Sequence, residues 1–516
     1  MTRAVAAALI VIAVTAALAL RAARLDVRPM HHDEANQAIK FGDLLERGEY
    51  RYDSRDHHGP TLYYLTLPSA WLGGRHTLAS LDEVTLRRVP VVFGAATILL
   101  LPLLWAGIGR RATAAGAVLM ALSPAMVFYS RMFIQEAIFA CFILAFVVAI
   151  GRVATTGGRA WWILAGAAAG LAAATKETSA IVLPAAVAAC AAAWWSCGSA
   201  RPRDALPEGR WRASAVTGLA VALVIAAIFY TSFFTAPSAI LEPFKGAGTY
   251  LSRGTDPASH AHPWHYYVGL LAYSSSGGLT WSEGLVLVLA VAGAAAGWRR
   301  RDGSCPDAAF WTRYLACDIV IAGGVLSLIP YKTPWNLLPF YVVAFALAGS
   351  GFAALVEMPR SRAMRGAVAA ALTIAALQLG QQAWRAAVTY AADPRNPYVY
   401  AQTVPDAVRM ATRIRELSSH HELGPRMRVS VIAPPDQQWP LPWYLRTMAN
   451  VGYWTAPGDA LALQAPVVVA SLEHAALLDQ ALGDRYVSEL YGLRPDVVQA
   501  LYVERRLWQR FLAQAK

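Results

Sequence analysis

Residues 28–65 read RPMHHDEANQAIKFGDLLERGEYRYDSRDHHGPTLYYL and follow directly on an apolar run at about 4–21. Two histidine pairs and an adjacent Asp33 and Glu34 thus stand beside a stretch that can cross a bilayer, which takes about 20 apolar residues. From Asp33 onward, Ala35, Ala38, Ile39, Phe41 and Leu45 keep to one helical face, and Gly48 sits where a helix would stop. The next segment, PTLYYLTLPSAWLGG at 60–74, is too short to span but apolar and aromatic enough to lie in the interface. The connection from about 22 to 88 is therefore expected to rest on the membrane surface, holding Asp33 and Glu34 near the lipid headgroups.

Outward from this loop, apolar runs recur at about 89–107, 113–129, 135–151, 160–175, 179–196, 214–231, 283–298, 313–330, 335–357 and 366–384. With the first run they predict about eleven transmembrane helices. The 516-residue chain is 56% hydrophobic and only 15% charged, unlike a soluble protein of its size. Its net charge of +12 would suit nucleic acid on a soluble domain, but the placement of that charge says otherwise. Arg110 and Arg111, Arg152 and Arg159, Arg201 to Arg212, Arg299 to Arg301 and Arg360 to Arg365 all fall in alternate short loops. The positive-inside rule puts those loops and the N-terminus in the cytoplasm, and no nucleic-acid partner is implied.

All eleven histidines fall in the opposite set of segments, and the five cysteines lie in spans or inside loops. The exported part therefore has no cysteine from which to build a disulfide. No clear small-x-small site ends the first run, which reads as a retained span. After about residue 385 the pattern changes. RVSVIA and APVVVAS read as short buried strands, and PDAVRMATRIREL as an amphipathic helix. The expectation is a mainly α, multi-pass protein of the cell (inner) membrane, with a membrane domain over 1–385 and a small extracytoplasmic α/β domain over 386–516.

Asp33 has two compatible readings: the N-cap of the following helix, or a general base taking a proton from an attacking hydroxyl. His31, His32, His57 and His58 allow a divalent metal site, with His31 and His32 as the possible ligands. Adjacent histidines rarely face one ion, however, and the spacing matches no zinc pattern. Arg131 and Glu136, in YSRMFIQE, flank the outer ends of two spans, where an arginine is either an anchor or a phosphate ligand. Lys176 in ATKET and Lys332 in YKTPWN are isolated lysines at outer span ends, against the positive-inside trend, and suit a lipid phosphate. Trp439 and Trp443, in the tail, read equally as a sugar platform or as packing.

HHDEA, DHHGPTLYYLTLP, YSRMFIQE, ATKET, YKTPWNLLPF, NPYVYAQT and WPLPWYLR followed by VGYW, in this order, resemble the GT-C glycosyltransferase superfamily. That superfamily includes the protein O-mannosyltransferases and the lipid A aminoarabinose transferase. The pattern is most similar to the group named after a flippase-activity-associated protein of archaeal N-glycosylation. The resemblance implies a polyprenyl-phosphate sugar donor in the membrane and a glycan, lipid or protein acceptor, joined by inverting transfer on the extracytoplasmic side. It implies Asp33 as the catalytic acid position, with Glu34 as its partner and Glu136 near the second acidic position. Arg131, Lys176, Lys332, His57, His58 and Tyr331 would then bind substrate or the leaving phosphate. A flippase, or an accessory to one, is the alternative; it would place ionisable residues deep in the spans, where only Asp318 stands out, near an inner end.

Overall fold

The structure is a computed structural model and describes residues 1–54, 58–198, 210–245, 260–299, 307–359, 361–458 and 462–514. Among these, eight helices are long and apolar enough to cross a membrane: Arg3–Ala22, Glu83–Ile108, Glu136–Thr156, Ser179–Ser196, Trp211–Tyr230, Asp307–Leu328, Pro334–Glu357 and Arg362–Thr389. The other three expected spans are also helical but shorter. Arg159–Ala173 has 15 residues and Gly284–Arg299 has 16. Arg110–Leu122 ends at Ser123, whose hydroxyl accepts from the Met126 backbone to start a second helix, Pro124–Tyr129. Proline at the first position of a helix lacks only a hydrogen-bond donor that would be unused there, so the break falls naturally at Pro124.

Glu136–Thr156 lies at the centre and is buried along almost its whole length. Around it the helices pack through small residues, as on Gly284–Arg299, where a Cβ on Gly293 would come within 2.2 Å of the Leu347 carbonyl oxygen. Asp318 lies midway along Asp307–Leu328 rather than near an end, fully buried, and neither carboxylate oxygen has a partner among the described residues.

Helix α1 (Arg3–Ala22) leads into the first long loop, which folds into α2 (His32–Arg47) and α3 (Thr61–Leu72) before α4 (Glu83–Ala96). Of the apolar face expected of α2, Ala35, Ala38 and Phe41 are buried and Ile39 and Leu45 half-buried, with Leu44 buried instead, and Gly48 closes the helix with φ +67°. On α3, Trp71 and Leu72 are exposed at 55% and 91%.

The C-terminal segment holds the expected amphipathic helix, Pro405–Ser419, with Ala407, Met410, Ala411, Ile414 and Leu417 buried along one face. Beyond the short pair β1 (Ser274–Ser276) and β2 (Leu279–Trp281), five strands form one mixed sheet in the order β4-β3-β5-β7-β6. They are β3 (Arg428–Ile432), β4 (Asn450–Trp454), β5 (Val467–Ser471), β6 (Tyr486–Arg494) and β7 (Val497–Glu504). β3 runs parallel to β4 and β5, with Val429 opposite Val467, whereas β7 is antiparallel to β5 and β6. The β6–β7 hairpin was not among the expected elements.

This segment braces the first loop. Tyr444 accepts from the Met30 backbone N–H at 2.7 Å, Gln402 donates to the Pro29 carbonyl at 2.9 Å, and Trp443 donates to Glu83 at 2.9 Å. Trp443 is fully buried, so of its two readings the structure gives packing. Trp439 is half-buried beside the His32 ring, at 5.9 Å.

Candidate active site

The start of α2 is fixed by His31, not by Asp33. The His31 Nδ1 accepts from the Asp33 backbone N–H at 3.1 Å, and Glu34 reaches back to the His31 backbone N–H at 3.0 Å, a reciprocal capping box. With Nδ1 accepting, Nε2 carries the proton and donates to the Tyr400 carbonyl at 3.1 Å. Both ring nitrogens of His31 are engaged in hydrogen bonds to the backbone. Among the described residues no three His, Cys, Asp or Glu side chains gather as a metal-binding group. Asp33, relieved of capping, keeps a side chain that is 44% exposed.

Glu34 turns the other way. It is fully buried and takes a bidentate contact from Arg87, at 2.8 Å from Nε and 2.9 Å from Nη2. Arg28 and the Phe133 backbone N–H complete its shell. Burial works against its charge, but Arg87 and Arg28 more than offset this and bring its pKa down to about 2. The expected catalytic partner of Asp33 is thus a buried anchor tying α2 to α4 and to the start of Glu136–Thr156.

A cavity of about 310 Å³ opens beneath Asp33. Its walls bring together the first loop (Asp33, His58), the start of the central helix (Gln135, Glu136), the loop before Ser179–Ser196 (Lys176, Glu177) and the loop before Leu338–Glu357 (Tyr331, Thr333, Trp335, Asn336). The Lys176 Nζ donates to Glu136 at 2.6 Å and to Asn336 at 2.7 Å. His58 Nδ1 meets Glu177 at 2.8 Å, and Tyr52 donates to the other Glu177 oxygen at 3.1 Å. Burial would discharge this imidazole, but the charge and hydrogen bond of Glu177 outweigh it and raise the His58 pKa; His58 in turn lowers that of Glu177 against the pull of burial. Gly59 lets this loop dock: a Cβ there would sit 2.2 Å from the Ala174 carbonyl oxygen, and Thr61 donates to that same carbonyl at 3.2 Å.

Five expected site residues, Asp33, Glu136, Lys176, His58 and Tyr331, therefore share one cavity. His57 lies outside the described residues. Besides Glu34, two others are elsewhere. The Arg131 guanidinium donates to the carbonyls of Leu20, Arg21, Ala23 and Arg24, satisfying the open C-terminal end of α1. The Lys332 ammonium donates to the carbonyls of Ile329 and His262. Both cations are buried and bonded to backbone acceptors, and neither is among the residues lining the cavity. Sequence reading missed Glu177, Gln135 and Asn336, although each adjoins or lies within a motif already singled out; an acid directly after Lys176 was the available signal.

Comparison with known proteins places this architecture. The family described as dolichyl-phosphate-mannose-protein mannosyltransferase matches residues 67–203. ArnT from Cupriavidus metallidurans, in a structure bound to undecaprenyl phosphate, superposes with a TM-score of 0.60 at 16% identity, over 95% of this chain and 97% of that one. Without that ligand the TM-score is 0.64 at 14% identity, over 96% and 98%. The oligosaccharyltransferase AglB from Archaeoglobus fulgidus, in complex with an inhibitory peptide and a dolichol-phosphate, gives 0.59 at 15%, over 98% of this chain and 77% of that one. No curated protein matches by sequence. The chain has the multi-pass membrane fold of these solved structures.

Proposed function

We propose that the protein is an integral-membrane glycosyltransferase that moves a sugar from a polyprenyl-phosphate donor to an acceptor hydroxyl on the extracytoplasmic side, with inversion. The cavity carries this reading: it is lined by a half-exposed carboxylate and a buried ammonium, on a fold shared with structures bound to undecaprenyl phosphate and to a dolichol-phosphate. Asp33 takes the acceptor's proton as its oxygen attacks the anomeric carbon; the bond from that carbon to the phosphate oxygen breaks, and the lipid phosphate leaves with the electron pair. Lys176, oriented by Glu136 and Asn336, and His58, held by Glu177, stabilise the charge that develops on the phosphate. Residues 1–385 form the catalytic membrane unit, and 386–516 an exported unit that braces the loop bearing Asp33.

Asp318 is what a transport reading would rest on, since a buried carboxylate within a span is expensive. It does not line the cavity, and transfer accounts for more of the observed side chains. The test is transfer by purified protein in detergent from radiolabelled polyprenyl-phosphate hexoses into a cell-envelope extract, wild type beside Asp33→Asn. Loss of a positioned base should cost roughly 10²- to 10⁴-fold in rate. Undiminished transfer by the variant removes Asp33 from the mechanism. No transfer by folded wild type favours the flippase reading.

A further inference from the structure

Asp33 and Lys176 stand on different segments, yet both are reached from one short turn. Pro334–Leu337 is a single 3₁₀ turn with proline at its first position, closed by the Asn336 backbone N–H donating to the Thr333 carbonyl at 3.1 Å. With about three residues per turn, successive side chains point about 120° apart, so neighbours here reach different parts of the protein. The Asn336 side chain accepts from the Lys176 ammonium at 2.7 Å. Trp335, one residue earlier, goes to the start of α2, where its ring meets the His31 ring edge-on at 5.6 Å between centroids. The same indole packs edge-on against Tyr400 at 6.0 Å and Tyr129 at 6.3 Å. Tyr129 is itself fixed, donating to the Tyr398 carbonyl at 3.0 Å.

The two hydrogen bonds of His31 decide which nitrogen caps α2, but they last only while the ring stays in place and dry. Trp335 lines the cavity whereas His31 does not, so loss of the indole would open the His31 ring to water from the cavity. Building on the glycosyltransferase reading, we infer that Trp335 is a positioning residue for the transfer: it holds His31 in the capping position that leaves the Asp33 carboxylate free. Because Asn336 beside it holds Lys176, the same turn fixes the base relative to the cation. A misplacement of about 1 Å between reacting groups can cost about 10²-fold in rate. Pro334 and Leu337, both buried, keep the turn itself from shifting. Packing alone, the plainer role for a buried tryptophan, would predict a less stable protein whose folded molecules turn over normally.

The test uses purified full-length wild type, Trp335→Ala, Trp335→Leu, Trp335→Phe and Asn336→Ala, with two readouts. The first is modification by diethyl pyrocarbonate, mapped by mass spectrometry, with the half-buried His32 as reference. His31 should be protected in wild type, in Trp335→Phe, which keeps an aromatic edge, and in Asn336→Ala, which leaves the clamp intact; it should become reactive in Trp335→Ala. The second is transfer from a radiolabelled polyprenyl-phosphate hexose. Trp335→Ala should lower kcat by roughly 10- to 100-fold with the donor KM unchanged, and Trp335→Phe should restore most of it. Trp335→Leu carries the same expectations as Trp335→Ala should the alanine variant not fold. A folded variant in which His31 stays protected, or in which kcat is unchanged, overturns the inference and leaves the glycosyltransferase reading in place; a raised KM at normal kcat overturns it too, making Trp335 a donor contact. If wild type transfers nothing, that reading falls and the role in transfer with it, while the modification pattern still decides whether Trp335 holds the cap.

Discussion

Replacing Glu34 by glutamine should destabilise the fold far more than it alters the chemistry. The carboxylate is fully buried against Arg87 and Arg28, and its pKa moves from an ordinary 4.5 to about 2. That displacement corresponds to roughly 3 kcal/mol of stabilisation of the charged form, close to the 3–5 kcal/mol typical of breaking a buried ion pair. The sign follows from the direction: a depressed carboxylate contributes fully above its unfolded pKa and loses that contribution as pH falls from about 4.5 toward 2. Glutamine keeps the shape but strands two buried guanidinium groups. Thermal melts in detergent at neutral pH should show Glu34→Gln and Arg87→Met each strongly destabilised. The double variant Glu34→Gln/Arg87→Met should lose less than the two single losses added together, since Arg87 is no longer stranded, although Arg28 still is. Melting points for the singles within a degree of wild type, or a double variant whose loss is the sum of the two, would refute the argument.

Three further outcomes follow from the same geometry. Lys176→Met should abolish transfer and also lower the melting point, because Glu136 is then buried without a cation; adding Glu136→Gln should restore the melting point but not transfer. Donor binding should weaken as pH rises through the raised pKa of His58, the imidazolium being fully present only below it. Glu177 and Glu136 favour the cation there and Lys176 opposes it, so Glu177→Gln should move that limb to lower pH and His58→Gln should remove it; a limb unchanged in His58→Gln would exclude His58 as its source. Gly59→Ala puts a Cβ 2.2 Å from a backbone oxygen that cannot yield cheaply, so the loop should undock, seen as protease cleavage near residues 50–60 and weaker donor binding; an unaltered cleavage pattern would show the docking to be dispensable.

The apolar runs, the amphipathic α2 and its stop at Gly48 were legible because each depends on local periodicity, and so were Asp33, Glu136 and Lys176, which the structure brings to one cavity. The hairpin β6–β7 was not, since its residues alternate weakly and its pairing with β5 is a tertiary choice. The cap of α2 was misplaced by two residues because histidine is an uncommon cap and Asp33 a common one. Nor could sequence tell Glu34 from Asp33: adjacent helical residues point about 100° apart, and only Arg87, far along the chain, decides which is buried.

A single physical criterion separates the charged residues that structure the loop from those available for chemistry, namely what bonding capacity remains after the fold has formed. Arg131 has its guanidinium on four carbonyls at the end of α1, and Lys332 its ammonium on two more. Both were candidates because a cation at an outer span end suits a phosphate, but a helix terminus presents unpaired carbonyls at that same place, and a cation near it is captured first. Lys176 escapes this because its partners, Glu136 and Asn336, are side chains on other segments that face the cavity. Asp33 escapes it because His31 does the capping. The open carboxylate and the side-chain-held ammonium thus owe their availability to neighbours that take over the structural tasks. Making Asp33 the cap should test that dependence: in His31→Ala, the Asp33 carboxylate becomes the nearest acceptor for the α2 backbone N–H groups, and transfer should fall although Asp33 itself is untouched. Restoring a cap at the same position with His31→Asn should recover activity, and failure of that recovery, with α2 intact by proteolysis, would show that His31 acts through something other than relieving Asp33.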